Sequence, residues 1–418
     1  MNREGVKPSP TGKKLYLPRM DYGGALCLAA AFRSVGIEAE LFPESDARTL
    51  ELAGRYTSGD ECLPAKIVLG DLLKVVEAPD FDPQRTVFLM ATTGGPCRFG
   101  QYLPYFKKVL RDLGHRDVAF VSLTSEDSYA GIGEAAKDLP RTAWQAVVAS
   151  DILRKLLLKT RPYERRRGES DKAYEASLRD VCSILERSDL RPRQRLKALV
   201  EVLVHIRDRF RGIPRSDGSR LLIGIVGEIF CRLNDFSNDR LIRKVEEHGG
   251  EAWLSDVAEW IWYCNAWEQA RLSLQGKGLS FRMWGAKLRA LTQHSDEEAL
   301  LGPFREDFQG CEEPEIGGIL ERAIPYLPYW GAIGEMVLSV GKAVYLYEKG
   351  ADGVIDISPF TCMNGIVSEA IYPRMSREHD GIPIKNFYFD GTASDLDRDV
   401  GIFMELCRNF RRKRGRPL

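Results

Sequence analysis

Three cysteines stand in turns rich in glycine and proline, a setting in which a thiol can meet a bulky inorganic group. Cys62 lies in Tyr56-Thr-Ser-Gly-Asp-Glu-Cys-Leu-Pro64, Cys97 in Thr93-Gly-Gly-Pro-Cys-Arg-Phe-Gly-Gln-Tyr102, and Cys362 in Ser358-Pro-Phe-Thr-Cys-Met-Asn-Gly365. Turn residues let the backbone approach a ligand closely, and thiolates suit iron or zinc. Cys97 and Cys362 each follow an apolar run that reads as a buried strand, and all three precede a helix-like stretch. For Cys97 the adjoining helix N-terminus is expected to favour the thiolate. One such cysteine is most often a small buried hydrophobe; three in the same setting point to a metal centre. They are too far apart in sequence for the C-x-x-C spacing of a zinc ribbon or a ferredoxin.

The remaining cysteines read differently. Cys27, Cys182, Cys264 and Cys407 fall in helix-like stretches and are expected to pack. Cys311, in an acidic loop, reads as an exposed thiol. Cys231 lies in the expected loop Glu228 to Asn238 after a strong strand, and whether it is a fourth ligand stays open. Glu61, Arg98, Gln101 and Glu228 are the polar neighbours with candidate substrate or proton roles.

The elements that must position these residues alternate strand and helix. Strands are expected at 14–18, 37–42, 86–91 and 117–122, with helices at 25–35, 64–76 and 101–113 between them. This alternation predicts a mostly parallel, doubly wound sheet. Residues 1–13 read as a flexible tail, 14–130 as a first α/β lobe and 131–215 as a helical segment. The charge-dense runs 161–167 and 191–195 in that segment read as solvated helix faces. Residues 216–418 read as a second α/β lobe with a helical insertion at about 257–349 and a basic C-terminal tail. Its strands are expected at 220–227, 251–255, 353–358 and 386–390, with helices at 239–248, 366–371 and 393–411. Each half sets a candidate cysteine after a strand, so the cleft between the halves is the expected site.

Composition narrows the class. Sixty basic residues balance sixty acidic ones in 418, so no global field draws nucleic acid or an anionic membrane. The longest apolar runs are too short to span a bilayer. The N-terminus lacks the apolar core of a signal peptide. Nine cysteines, an odd number spread over a long chain, argue against a secreted disulfide framework. A cytoplasmic protein with reduced thiols is expected. No G-x-x-x-x-G-K-[ST] loop, H-E-x-x-H or G-x-S-x-G is present, so ATP hydrolysis by this chain, zinc hydrolysis and serine-ester chemistry are disfavoured.

At these same residues the chain resembles the 2-hydroxyacyl-CoA dehydratase superfamily, specifically the dehydratase-like C-terminal region of the large CoA-substrate-specific activase-related proteins. The resemblance runs through Tyr16 to Met20, Arg55 to Pro64, Gly94 to Tyr102, Ser125 to Ser128, Gly227 to Phe230, Leu233 to Asn238 and Ser358 to Gly365. These stretches are spread over nearly the whole chain from residue 14 to 400, and Gly94-Gly-Pro-Cys-Arg-Phe-Gly-Gln-Tyr102 and Ser358-Pro-Phe-Thr-Cys-Met363 are the most specific of them. It implies flavodoxin-like lobes and an oxygen-sensitive iron–sulfur cluster in the cleft, with Cys62, Cys97 and Cys362 as ligands. A [4Fe–4S] cluster is the first expectation; a double-cubane [8Fe–9S] cluster is the larger alternative. The resemblance also implies an ATPase activator acting in trans as electron donor, and a second dehydratase-like subunit or a homodimer. An acyl-CoA or another small molecule would be the substrate. The competing reading is a non-catalytic scaffold or electron carrier that docks with a partner dehydratase or activator.

Overall fold

The computed structural model describes residues 12–124, 137–328 and 334–416. Most of the expected tail, the Ser125 to Ser128 segment, the first residues of the expected helical segment and the last two residues lie outside this set. The chain begins β1 (Lys14–Leu17), α1 (Tyr22–Arg33), β2 (Glu38–Leu41), α2 (Ala47–Gly54), α3 (Leu63–Val76) and β3 (Thr86–Thr92). A 3-10 helix (Arg98–Gln101), α4 (Tyr102–Asp112) and β4 (Ala119–Thr124) follow, then α5 (Leu139–Thr160), α6 (Glu169–Leu185) and α7 (Pro192–Arg211). The second half runs β5 (Leu221–Gly227), α8 (Ile229–Leu233), α9 (Leu241–Glu247), β6 (Gly250–Leu254), α10 (Val257–Leu274), α11 (Phe281–Leu301), α12 (Ile316–Ala323) and α13 (Glu335–Glu348). It closes with β7 (Gly353–Pro359), α14 (Met363–Glu378), β8 (Ile384–Phe389) and α15 (Leu396–Lys413).

Among the described residues the strands form two four-stranded sheets, ordered β2-β1-β3-β4 and β6-β5-β7-β8. Every pairing is parallel. The same winding is therefore used twice, giving two flavodoxin-like α/β lobes with helical insertions, as the alternation predicts. Chain direction across the sheet reverses between β1 and β3 in one lobe and between β5 and β7 in the other. Ligands of such sheets bind at this switch point, outside the carboxyl ends of the strands. The turns carrying Cys97 and Cys362, and the short helix α8 carrying Cys231, follow the strands at these points.

Both faces of each sheet are covered, and strand side chains sort by parity. On β3, Val87 and Leu89 pack with α1, α5, α6 and α7, while Phe88 and Met90 pack with α3 and α4. On β5, Ile223 and Ile225 face the same cluster as Phe88 and Met90, whereas Val226 faces α12 and α13. One apolar core thus joins the inner faces of both lobes.

Several local expectations need correction. The helix α2 was not foreseen; the Asp46 carboxylate accepts from the Thr49 N–H at 3.0 Å, and the Thr49 hydroxyl accepts from the Asp46 N–H at 3.0 Å. This reciprocal capping makes eight residues helical. The expected loop from Glu228 contains α8, because the Glu228 carboxylate accepts from Phe230 N and Cys231 N. The helix after Cys362 starts at Met363 and runs to Glu378 through Pro373, well beyond 366–371. The charge-dense runs are not uniformly solvated. Arg161 is largely buried and bonds Glu246 at 2.7 and 2.8 Å; Arg195 is 3% exposed and bonds Thr142 Oγ1 at 2.9 Å. Among the described residues no helix is long and apolar enough to cross a membrane.

Candidate metal centre

Cys62, Cys97 and Cys362 occupy the same structural position. Each is the residue immediately before a helix, with extended φ/ψ of −64°/147°, −67°/131° and −68°/122°, at the starts of α3, the 3-10 helix and α14. That position normally carries Ser, Thr, Asp or Asn, whose oxygen satisfies first-turn N–H groups. Here sulfur stands in its place. Burial pushes the Cys62 thiol up, and it pushes Cys97 up to about 11 and Cys362 higher still. The N–H groups of Ala65, Phe99, Asn364 and Gly365 pull the other way and lose. The thiolate expected at Cys97 from its helix N-terminus is therefore outweighed by desolvation. Burial thus favours the protonated thiol at all three positions, and a metal ligated there would have to displace those protons.

A single guanidinium links the three turns. Arg98, next to Cys97, donates from Nη1 to the Asp60 carbonyl at 2.7 Å, two residues before Cys62. From Nη2 it donates to the Thr361 carbonyl at 3.1 Å and to Thr361 Oγ1 at 2.7 Å, one residue before Cys362. Thr361 holds φ at +63°, a conformation rare for a β-branched residue and sustained only where its surroundings impose it. The Tyr102 hydroxyl, at the start of α4, contacts the Cys62 sulfur.

The second lobe adds carboxyls. Gly227 has φ +111°, and a Cβ there would fall 2.2 Å from the Ile357 carbonyl oxygen; only glycine lets β5 leave so close to β7. Glu228 follows, its N–H donating to Ile357 O at 2.8 Å. Its carboxylate accepts from Phe230 N at 3.1 Å and Cys231 N at 2.8 Å. Glu335, buried at the start of α13, accepts from Ile229 N at 2.7 Å. Burial first, and then the nearby Glu228 charge, raises Glu335 well above the usual carboxylate range, and burial raises Glu228. Asn364 Oδ1, one residue past Met363, is buried without a hydrogen-bond partner.

Of the foreseen polar neighbours, Arg98 and Glu228 are built into the site. Glu61 turns back on its own loop, accepting from Ser58 N at 3.0 Å and Gly59 N at 3.1 Å, and Gln101 is exposed. Cys231 is fully buried on α8, which packs on β5, β7 and α3; it therefore lies between the Cys362 turn and the helix of Cys62. Cys27, Cys264 and Cys407 are buried in helices, and Cys182 is half-buried with its sulfur 4.0 Å from that of Cys27. Cys311 is half-buried against Lys159 Nζ at 3.2 Å, so the expected exposed thiol is partly covered.

Sequence reasoning missed Tyr102 and Glu335. Tyr102 closes a stretch already singled out, and its phenol was given no role. Glu335 stands 106 positions from its partner Ile229, and no local pattern announces such a meeting.

Among the described residues no three His, Cys, Asp or Glu groups close around one point as a single ion requires. Compared with known proteins, the chain matches no family model and no curated sequence.

Proposed function

We propose that the chain is an iron–sulfur redox protein whose cluster is held by Cys62, Cys97 and Cys362 in the cleft between the lobes. The observation that carries this reading is the Arg98 guanidinium, which ties the turns of the other two cysteines to its own. A [4Fe–4S] cluster bound there supplies one-electron chemistry at low potential; a double-cubane [8Fe–9S] cluster is the larger form. The residues around it have defined work. Arg98 fixes the spacing of the turns. Tyr102, beside the Cys62 sulfur, tunes the electron-richness of that ligand. Glu228 and Glu335 are the buried carboxyls that would hand a proton to a reducible substrate, burial favouring the protonated form of each.

The electron source in this reading is a separate ATPase activator acting in trans, and the outcome is low-potential electron transfer or reductive chemistry on a small molecule such as an acyl-CoA. A second reading, an electron carrier or scaffold, is favoured by one observation: Cys231 lies next to the same turns, and a fourth thiolate would leave no iron open to substrate. The test uses anaerobically loaded protein with an activator ATPase and Mg-ATP. Enzymatic function requires ATP-dependent reduction of the chain followed by reoxidation on adding substrate. Reduction without reoxidation by any acyl-CoA supports the carrier, and a chain that takes up no iron and sulfide refutes the enzyme and the carrier and leaves the scaffold.

A further inference from the structure

We propose that α11 forms an interface with a second copy of this chain, the two α11 helices packing antiparallel about a two-fold axis. The helix has two faces. Met283, Ala286, Asp296 and Leu300 are buried against the molecule. On the other side Phe281 is 97% exposed, Trp284 64%, Leu288 66% and Leu291 67%. At the end of α10 and in the connecting turn, Leu274 and Leu279 add exposures of 73% and 91%. Large side chains each offer roughly 150–250 Å², so this patch presents on the order of 800 Å². That exceeds the largest apolar patch of a typical monomer and equals one partner's share of a standard interface.

Spacing and charge select the occupant. The exposed residues recur at intervals of three, four and three, the period of helices that interdigitate with another helix. The stripe is also a palindrome about Ala286: Phe281 and Leu291 lie equally far on either side, as do Trp284 and Leu288. A two-fold axis there sets Phe281 on Leu291 of the partner subunit and Trp284 on Leu288 of the partner subunit, the self-complementary pattern of an isologous contact. Gly285, next to the axis, has open space where a Cβ would stand, so the backbones can approach. Arg282 and Arg289 both pair with the buried Glu268, which offsets much of the positive charge that the stretch 282–289 would bring to the contact.

Sedimentation equilibrium of the full chain over about 1–100 μM tests this. The expected mass is twice 47.1 kDa. Leu288→Asp, a change on an exposed side chain, is expected to raise the dissociation constant about 100-fold or more while leaving the circular dichroism spectrum unchanged. Gly285→Cys is expected to give a covalent dimer with a thiol-reactive bifunctional cross-linker, beyond any seen with the unsubstituted chain. A chain monomeric throughout overturns the proposal, including a monomer that cosediments with anionic phospholipid vesicles. So does a dimer that Leu288→Asp leaves intact, or a Gly285→Cys chain that does not cross-link. None of these readouts depends on iron, so the interface and the metal centre stand or fall separately.

Discussion

Removing the Arg98 guanidinium takes away hydrogen bonds to two turns at once. Arg98→Ala is therefore expected to destabilise the protein by only about 1–2 kcal/mol, since the side chain is exposed. Its larger effect is on spacing: iron is expected to leave several times faster under a chelator. Arg98→Lys should not rescue retention, because an ammonium cannot span two carbonyls as the planar fork does. Equal chelator half-lives for wild type and Arg98→Ala would remove Arg98 from the site. At this scale the sequence was informative where chemistry is local. Cysteines flanked by glycine and proline stand out, and Cys62, Cys97 and Cys362 do share one backbone position. Burial could not be read from the residues, and so the upward shift of all three thiols was not foreseen. Nor could Glu335 be found, since its place beside α8 comes from folding.

Gly227 is the element-scale hinge between β5 and α8. Gly227→Ala would drive a methyl into Ile357 and force apart the turns of Glu228 and Cys362, with an expected loss of about 2–4 kcal/mol and poorer iron loading. Melting curves and iron content of that variant check it; a wild-type melting temperature would contradict it. On α11, burial pushes the Glu297 carboxyl up to about 7, although the Trp262 indole at 2.8 Å opposes it. The folded protein thus binds that proton more tightly than the unfolded chain, which titrates near 4.5. Its contribution is fully present below that pH and is lost as the pH rises to about 7. Glu297→Gln keeps an oxygen for Trp262 and cannot ionise, so above neutral pH it should be more stable by about 2–3 kcal/mol, with little difference at pH 4. Unfolding at both pH values measures this, and parallel pH profiles would contradict it. The alternation of strand and helix was legible because parity and helical period are local properties. The short capped α2 was not, and neither was the burial of Arg161, whose partner Glu246 lies on another element.

At the scale of the molecule, residues of both sheets meet in one apolar core, and Asn234 of the second lobe donates to Arg19 O of the first at 2.8 Å. The lobes are therefore expected to unfold together, in a single calorimetric transition; two separated transitions would show that each keeps its own stability. The strand order that turns the switch points of both lobes toward the cysteines is a long-range property that no stretch of sequence displays. The central claim, a cluster held by three cap-position thiols, is tested most directly by iron and acid-labile sulfide after anaerobic reconstitution. The chains to compare are wild type and Cys97→Ser, Cys362→Ser, Cys231→Ser, Cys182→Ser and Cys407→Ser. The account requires about four irons per wild-type chain, or about eight for a double cubane, lost in the Cys97 and Cys362 variants and retained in the Cys182 and Cys407 variants; loss in Cys231→Ser as well would add a fourth thiolate. Equal iron in all five variants, or none in the wild type, would contradict it.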